Sequence, residues 1–315
     1  MKPLFKGIGS ARMLYHIIRY TLFLAVLIFV GRILLEQLSN IHIDSLSIEW
    51  QFLAMALLFE ALARYFTGAG YERLLQYFGA PVSFFPAASI AWISFLGKYL
   101  PGKFFLVAIA MYYFRQYKIR WEIAGLVPVI NTLMTICAAL ILSSPFVFIF
   151  HDQLGLAASF GSAFSLLGCG LFCMKPHLLF SWGRKLIKTL DVPAAHLSLS
   201  LSQASVCLGI ALLQCLCFGM STWCIARAFV PVGIETAVWF ISVTTFSITL
   251  GLFAFFSPAG IGVKEGICFL AFSRMLGPEM ASLVAVAARA IYTLMDMISA
   301  GVGFLILRYV SPHRE

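Results

Sequence analysis

The chain has 315 residues, 61% hydrophobic and 11% charged. That excludes an ordinary water-soluble globular protein, in which about half of the residues are apolar and about a quarter charged. The formal net charge of +9 sits in short clusters beside apolar runs, a pattern that orients membrane helices and argues against a nucleic-acid partner. Runs such as 22–30 and 133–142 are apolar all round, which excludes the alternating strands of a β-barrel. They predict an all-α polytopic membrane protein of about six full transmembrane helices plus two re-entrant or broken hairpins, about eight segments in all.

A first span is expected near 17–38, behind Lys2, Lys6, Arg12 and Arg19. The length of its apolar stretch, with Arg32 and Glu36 following, reads as a retained helix and not as a cleaved signal peptide. A second span is expected near 48–66, with Arg64 and Arg73 at and beyond its end. Residues 84–114 are apolar but interrupted at Gly97-Lys98-Tyr99-Leu100-Pro101-Gly102-Lys103. Arg73 precedes this stretch and Arg115, Lys118 and Arg120 follow it, so both of its ends belong to one basic face. It is either a re-entrant hairpin broken inside the membrane or an ordinary hairpin whose Pro-Gly loop reaches water. The shortness of the halves and the lysines at the break favour the first.

Further spans are expected near 124–148 and 154–174. The longest polar connection, 175–199, carries His177, Trp182, Asp191, Pro193 and His196, and reads either as a solvated loop or as a basic amphipathic stretch on lipid headgroups. It divides a single transmembrane domain into a first half, about 1–174, and a second, about 201–315, joined by about 175–200. Spans near 204–228 and 283–307 flank a second interrupted stretch, Ala237 to Leu276, broken at Ser257-Pro258-Ala259-Gly260-Ile261-Gly262-Val263-Lys264-Glu265-Gly266. Proline removes a backbone donor and glycine admits unusual dihedrals, so each break ends one helix and permits another. By span count the two hairpins enter from opposite faces. Interrupted segments in corresponding positions of two halves predict an inverted repeat with a site near the midplane.

The positive-inside rule places the basic loops and both termini in the cytoplasm, and Asp44, Glu49, Asp152, Glu235 and Glu279 outside. The expected location is a cell membrane of bacterial or archaeal type, the inner one where there are two.

A charge at bilayer depth is expensive unless it is paired or faces a wet cavity. The candidates for lipid headgroup binding are Lys98, Lys103, Lys264, Glu265, Arg289 and Asp296, with backbone breaks at Pro101, Gly102, Pro258, Gly260, Gly262 and Gly266. Arg289, Tyr292 and Asp296 share one helix face, with the two charges about 10.5 Å apart by helical rise, too far to pair directly. Arg289 is expected to meet Glu265 or an anionic ligand group, and Asp296 a lysine at a break; a structural ion pair is the alternative. A helix beginning after Gly260 would present free amides around Gly262 to Lys264, suited to phosphate or carboxylate, and Lys103 after Pro101-Gly102 would mirror it. Glu60 with Arg64, and Arg32 with Glu36, read as structural pairs. The eight cysteines read as small buried hydrophobes. With no P-loop, nucleophile elbow, HExxH helix or metal-ligand cluster, no catalytic residue, metal or cofactor is expected, and an embedded transferase stays open.

The segments Phe95-Leu-Gly-Lys-Tyr-Leu-Pro-Gly-Lys103, Ser257-Pro-Ala-Gly-Ile-Gly-Val-Lys-Glu-Gly266 and Ala288-Arg-Ala-Ile-Tyr-Thr-Leu-Met-Asp296 resemble the transmembrane region of the lysylphosphatidylglycerol synthase/flippase family. In that family the membrane region moves aminoacylated phosphatidylglycerol between leaflets and a separate soluble domain makes it. These 315 residues hold no such domain, so the resemblance implies a stand-alone flippase-like protein and gives no support for aminoacyl transfer. Where many members have an Asn before the first Pro and Gly-Glu-x-x-Arg after it, this chain has Gly97-Lys98 and Phe104-Phe105-Leu106. Lys264, Glu265, Gly266 and Arg289 follow the family pattern. The expected function is translocation of a polar or anionic-headgroup lipid, phospholipid or glycolipid, with membrane lipids as partners. The alternative is a scaffold or accessory subunit for a lipid-modifying enzyme or glycosyltransferase.

Overall fold

The computed structural model describes Arg32 and residues 47–100, 104–149 (backbone only for 146–149), 199–254 and 257–310. Among them are eight α-helices: α1 Trp50–Tyr77, α2 Phe84–Phe95, α3 Phe104–Gln116, α4 Trp121–Ile149, α5 Leu201–Phe229, α6 Ala237–Phe253, α7 Val263–Leu276 and α8 Pro278–Val310. Short 3-10 turns, Leu96–Tyr99 and Pro258–Gly260, follow α2 and α6. Five stretches are long and apolar enough to cross a membrane: α1, α4 as far as Pro145, α5, Ile234–Phe253 and α8. The protein is an all-α, multi-pass membrane protein. Apart from Arg32 and Leu199, the spans expected near 17–38 and 154–174 and the connection 175–199 lie outside the described residues.

The structure corrects the end of the second expected span. α1 continues to Tyr77, because nothing in 67–77 removes a helical hydrogen bond and its two glycines are buried against Ala88 and Asn131. Arg64 therefore lies well inside a helix and is buried, so it does not serve as a cytoplasmic orienting charge.

α1 and α5 run antiparallel along each other. At one end the Glu49 N–H donates to the Ala228 carbonyl (3.0 Å) and Glu49 pairs with Arg227. Ser221 Oγ donates to the Ala56 carbonyl (3.0 Å), and towards the other end Gly70 faces Ile210. The remaining packing exchanges in pairs: α1 on α2 matches α5 on α6, α2 on α8 matches α6 on α4, α3 on α4 matches α7 on α8, and α1 on α4 matches α5 on α8. Exchange of the first four helices with the last four, with α1 antiparallel to α5, is the packing of an inverted repeat.

Two apolar clusters lie towards opposite ends of the bundle. One gathers Tyr71, Leu74, Ile90, Phe114, Val127 and Leu208. The other gathers Trp223, Ile225, Phe240, Phe272, Ala281 and Val284. Each broken hairpin begins and finishes in one cluster: α2 and the end of α3 in the first, α6 and the end of α7 in the second, where the Phe240 and Phe272 rings stand 4.7 Å apart. Each hairpin thus returns to the end from which it came. The two 3-10 turns touch each other between the clusters. Large apolar side chains such as Leu58, Phe104, Leu270, Met297 and Leu305 point outward, as lipid permits, while the buried contacts use small residues that bring backbones together. Gly303, for example, lies against the Ser89 backbone of α2.

Candidate functional site: the charged layer between two breaks

At the first break, the tight turn Leu96–Tyr99 needs a residue without a side chain. A Cβ on Gly97 would run into the α3 backbone at Phe105 and Leu106. Gly97→Ala is expected to cost about 1–3 kcal/mol through overpacking, read as a lower thermal midpoint of the protein in detergent. The turn aims Lys98 and Tyr99 at the middle of α8. Lys98 Nζ lies 2.5 Å from Asp296 Oδ2, and the Tyr99 hydroxyl donates to the same oxygen at 2.7 Å. Asp296 Oδ1 lies 3.0 Å from Arg64 Nη2, which is also 3.1 Å from Glu60 Oε2. Asp296 is 1% exposed and Glu60 fully buried. Aromatic faces complete the surroundings of the cations: Arg64 lies over Phe218 (5.2 Å) and Lys98 over Phe95 (5.4 Å). α2 is held on α1 by the Trp92 indole N–H, which donates to the Arg64 carbonyl (2.9 Å).

Asp296 is followed by 14 residues of α8 and preceded by 18 of them. By helical rise that places it roughly 21 Å from one end and roughly 27 Å from the other, at depth by any membrane placement that covers α8.

At the second break the backbone turns through positive φ at Ala259 (52°), Gly260 (69°) and Gly262 (84°). The Ser257 hydroxyl bridges the turn to the Ile261 carbonyl (2.7 Å). α7 starts at Val263, and the expectation of free amides there is corrected at Gly262, whose N–H is taken by the Glu265 carboxylate at 2.7 Å. A carboxylate at N3 reaches back to cap its own helix, so it occupies part of the anion position that the helix start offers. Arg289 from α8 lies 3.3 Å from Glu265, donates to the Ala259 carbonyl (3.4 Å) and stands over the Tyr99 ring (5.8 Å). One side chain thereby joins the two breaks.

Lys264 lays its methylenes across Gly251 and forms no ion pair with any described residue. It borders a small cavity among α5, α6, α7 and α8, lined also by Thr222, Thr244, Ser247, Arg289 and Tyr292. Thr244 Oγ1 donates to Thr222 Oγ1 (3.0 Å), and Thr222 is hydrogen-bonded to the Tyr292 hydroxyl. Cations, a capped helix start and a run of hydroxyls therefore border one space. This layer carries four cations (Arg64, Lys98, Lys264, Arg289) and three carboxylates (Glu60, Glu265, Asp296), a net charge of +1 when all are ionised. No group of three or more His, Cys, Asp or Glu able to hold a metal occurs among the described residues.

Of the residues singled out from sequence, Lys98, Lys264, Glu265, Arg289 and Asp296 gather here. Lys98, however, is engaged by Asp296 in this structure, because the 3-10 turn directs it along α8. Pro258, Gly260 and Gly262 build the second break, and Gly266 lies in the first turn of α7, its N–H donating to the Gly262 carbonyl (3.0 Å). Pro101, Gly102 and Lys103 lie outside the described residues. Sequence reasoning set Glu60 and Arg64 aside as a local pair, yet they are half of the network around Asp296. The signal was available: both charges stand within an apolar helix, the same criterion that selected Arg289 and Asp296. Thr222, Thr244 and Ser247 carried no comparable signal.

Compared with curated proteins, the chain matches none. The family model for the lysylphosphatidylglycerol synthase TM region matches residues 16–300, a span that includes both breaks and every charge in the layer between them. The chain belongs to the lysylphosphatidylglycerol synthase TM region family.

Proposed function

We propose that this protein moves lipids with polar or anionic headgroups between the leaflets, the headgroup crossing by way of the charged layer while the acyl chains stay in the bilayer. The observation that carries this reading is a net-positive set of side chains deep in the bundle, where two opposed hairpins break and touch. A single-purpose structural ion pair needs two charges. Here there are seven, three of which (Lys264, Glu265 and Arg289) line a small cavity with Thr222, Thr244, Ser247 and Tyr292. Lys264 is the group best placed to receive a phosphate, since no described carboxylate pairs with it, and Arg289 lies on the same cavity. The positive-inside rule, applied to the basic clusters, supports cytoplasmic termini in a cell membrane.

Purified protein in liposomes that contain a trace of fluorescent phosphatidylglycerol tests this, with a membrane-impermeant quencher reporting outer-leaflet lipid. The wild-type protein is expected to expose inner-leaflet lipid to the quencher. Lys264→Gln, which removes a cation without orphaning a described partner, is expected to slow this about tenfold, the loss of one charge-assisted contact. Absence of movement with wild-type protein sinks the translocase reading in favour of a scaffold. Unchanged movement by folded Lys264→Gln sinks the phosphate position.

A further inference from the structure

Glu60 is the member of the charged layer whose ionised form is least supported. It is fully buried, its Oε1 has no hydrogen-bond partner among the described residues, and its Oε2 meets Arg64 alone. Arg64 is itself divided, with Asp296 on its other side at 3.0 Å. Asp296, by contrast, has Lys98 and Tyr99 on Oδ2, so two cations serve it, although its Oδ1 meets Arg64 as an ion pair without a hydrogen bond. A buried carboxylate with a half share of one cation stays charged only while the balance of the whole cluster holds.

That balance is easily stated. Glu60, Arg64, Asp296 and Lys98 together are neutral when all are ionised. An anionic headgroup that engages Lys98 withdraws a positive charge from Asp296, and Arg64 is the cation within reach to replace it. Glu60 would then be left as a buried anion without a counter-charge. Its neighbours offer no further compensation in place: α1 contributes Arg64, α8 Asp296 and Tyr292, the first break Lys98, α7 Lys264 and α5 Cys217. Lys264 would hold the phosphate together with Lys98, so it does not serve Glu60. Neutralisation by a proton is what remains.

We propose that Glu60 is a proton-binding site coupled to headgroup entry: as a lipid phosphate takes Lys98 from Asp296, Arg64 passes to Asp296 and Glu60 binds a proton drawn from water. The step is charge-balanced, since one negative charge and one proton enter the layer together. Tyr292 and Lys264, which line the cavity, lie within electrostatic reach of Glu60. Carboxylates inside membrane helices serve as proton relays on the same physical ground. The inference rests on the translocase reading and adds a chemical requirement to it: anionic lipid and proton travel through the layer as a neutral pair.

The experiment adds short-chain phosphatidylglycerol to the purified protein in weakly buffered detergent solution, with a pH-indicator dye. The wild-type protein is expected to take up protons as lipid binds, up to about one per lipid, so the medium turns more alkaline, and an infrared C=O stretch of a protonated carboxyl grows with the lipid. Glu60→Gln is expected to take up none. Glu60→Asp keeps the uptake and shifts the infrared band, which identifies the group even where Glu60→Gln does not fold. Lipid binding and leaflet-to-leaflet movement with no proton uptake by wild-type protein overturns the coupling and leaves translocation standing. Uptake that persists in folded Glu60→Gln overturns the assignment to Glu60. Absence of phosphatidylglycerol movement in liposomes overturns both readings.

Discussion

Asp296→Ala is expected to destabilise the folded protein by about 3–5 kcal/mol, the loss that follows when one partner is removed from a buried ion pair. The carboxylate is 1% exposed and receives Lys98 at 2.5 Å, Tyr99 at 2.7 Å and Arg64 at 3.0 Å. Its removal leaves the buried Arg64 with Glu60 alone and the partly exposed Lys98 without its carboxylate, and frees the turn after α2 from α8. The measurement is the midpoint of thermal or denaturant unfolding in detergent. Lys98→Met is expected to cost less, since Asp296 retains Arg64 and Tyr99. The double variant Asp296→Ala, Lys98→Met is expected to be less destabilised than the sum of the two, because the orphaned ammonium is removed with its partner. Additive losses would show that Lys98 and Asp296 act independently, contrary to the geometry.

Gly260→Val is expected to cost about 2–6 kcal/mol, from two sources at one position. Its φ of 69° is a region that a β-branched residue enters only with strain of about 1–3 kcal/mol. A Cβ there would also stand 2.9 Å from the Gly251 Cα and 3.2 Å from its carbonyl, and overpacking against backbone costs about 1–3 kcal/mol more. Because the same Gly251 carries the methylenes of Lys264, the damage should extend to the cavity. Phosphatidylglycerol movement should therefore fall further than the stability loss alone explains. The control is Gly209→Ala in α5, where a Cβ meets nothing within 4 Å. There the substitution should stabilise by about 0.5–1 kcal/mol, since alanine is the better helix former. Equal losses at the two glycines would refute the close approach of the second break to α6.

These two sites differ in how far they could be read in advance. Gly260 stands in a Pro-x-Gly-x-Gly run between two apolar segments, and local chemistry alone predicts a helix break there. Its contact with Gly251 is nine residues back along a hairpin, and no local rule reports which residue of α6 the turn will touch. Asp296 was conspicuous as a charge in an apolar helix. That its partners are Lys98 from the first break and Arg64 from α1 follows from how three distant segments pack. Glu60 and Arg64 show the reverse failure: a favourable i,i+4 pair satisfied a local explanation, so the long-range partner of Arg64 went unsought. The extension of α1 to Tyr77 was missed for a related reason, since hydropathy falls along 67–77 while burial against α2, α4 and α5 keeps the segment helical.

The sequence by itself determined that this protein is a multi-pass helical membrane protein with two opposed interruptions and a few charges that lipid would not tolerate unpaired. Those features are set by backbone hydrogen bonding in an apolar medium and by the desolvation of charge, both of which act on each segment separately. Only the tertiary structure decided which charges meet: that Lys98 is held by Asp296, that Glu265 caps its own helix and leaves Lys264 as the cation without a described carboxylate, and that Arg64 is divided between two carboxylates. Pairing of this kind depends on helices far apart in the chain arriving at one depth and one rotation, and an inverted repeat sets both through packing that no single segment encodes.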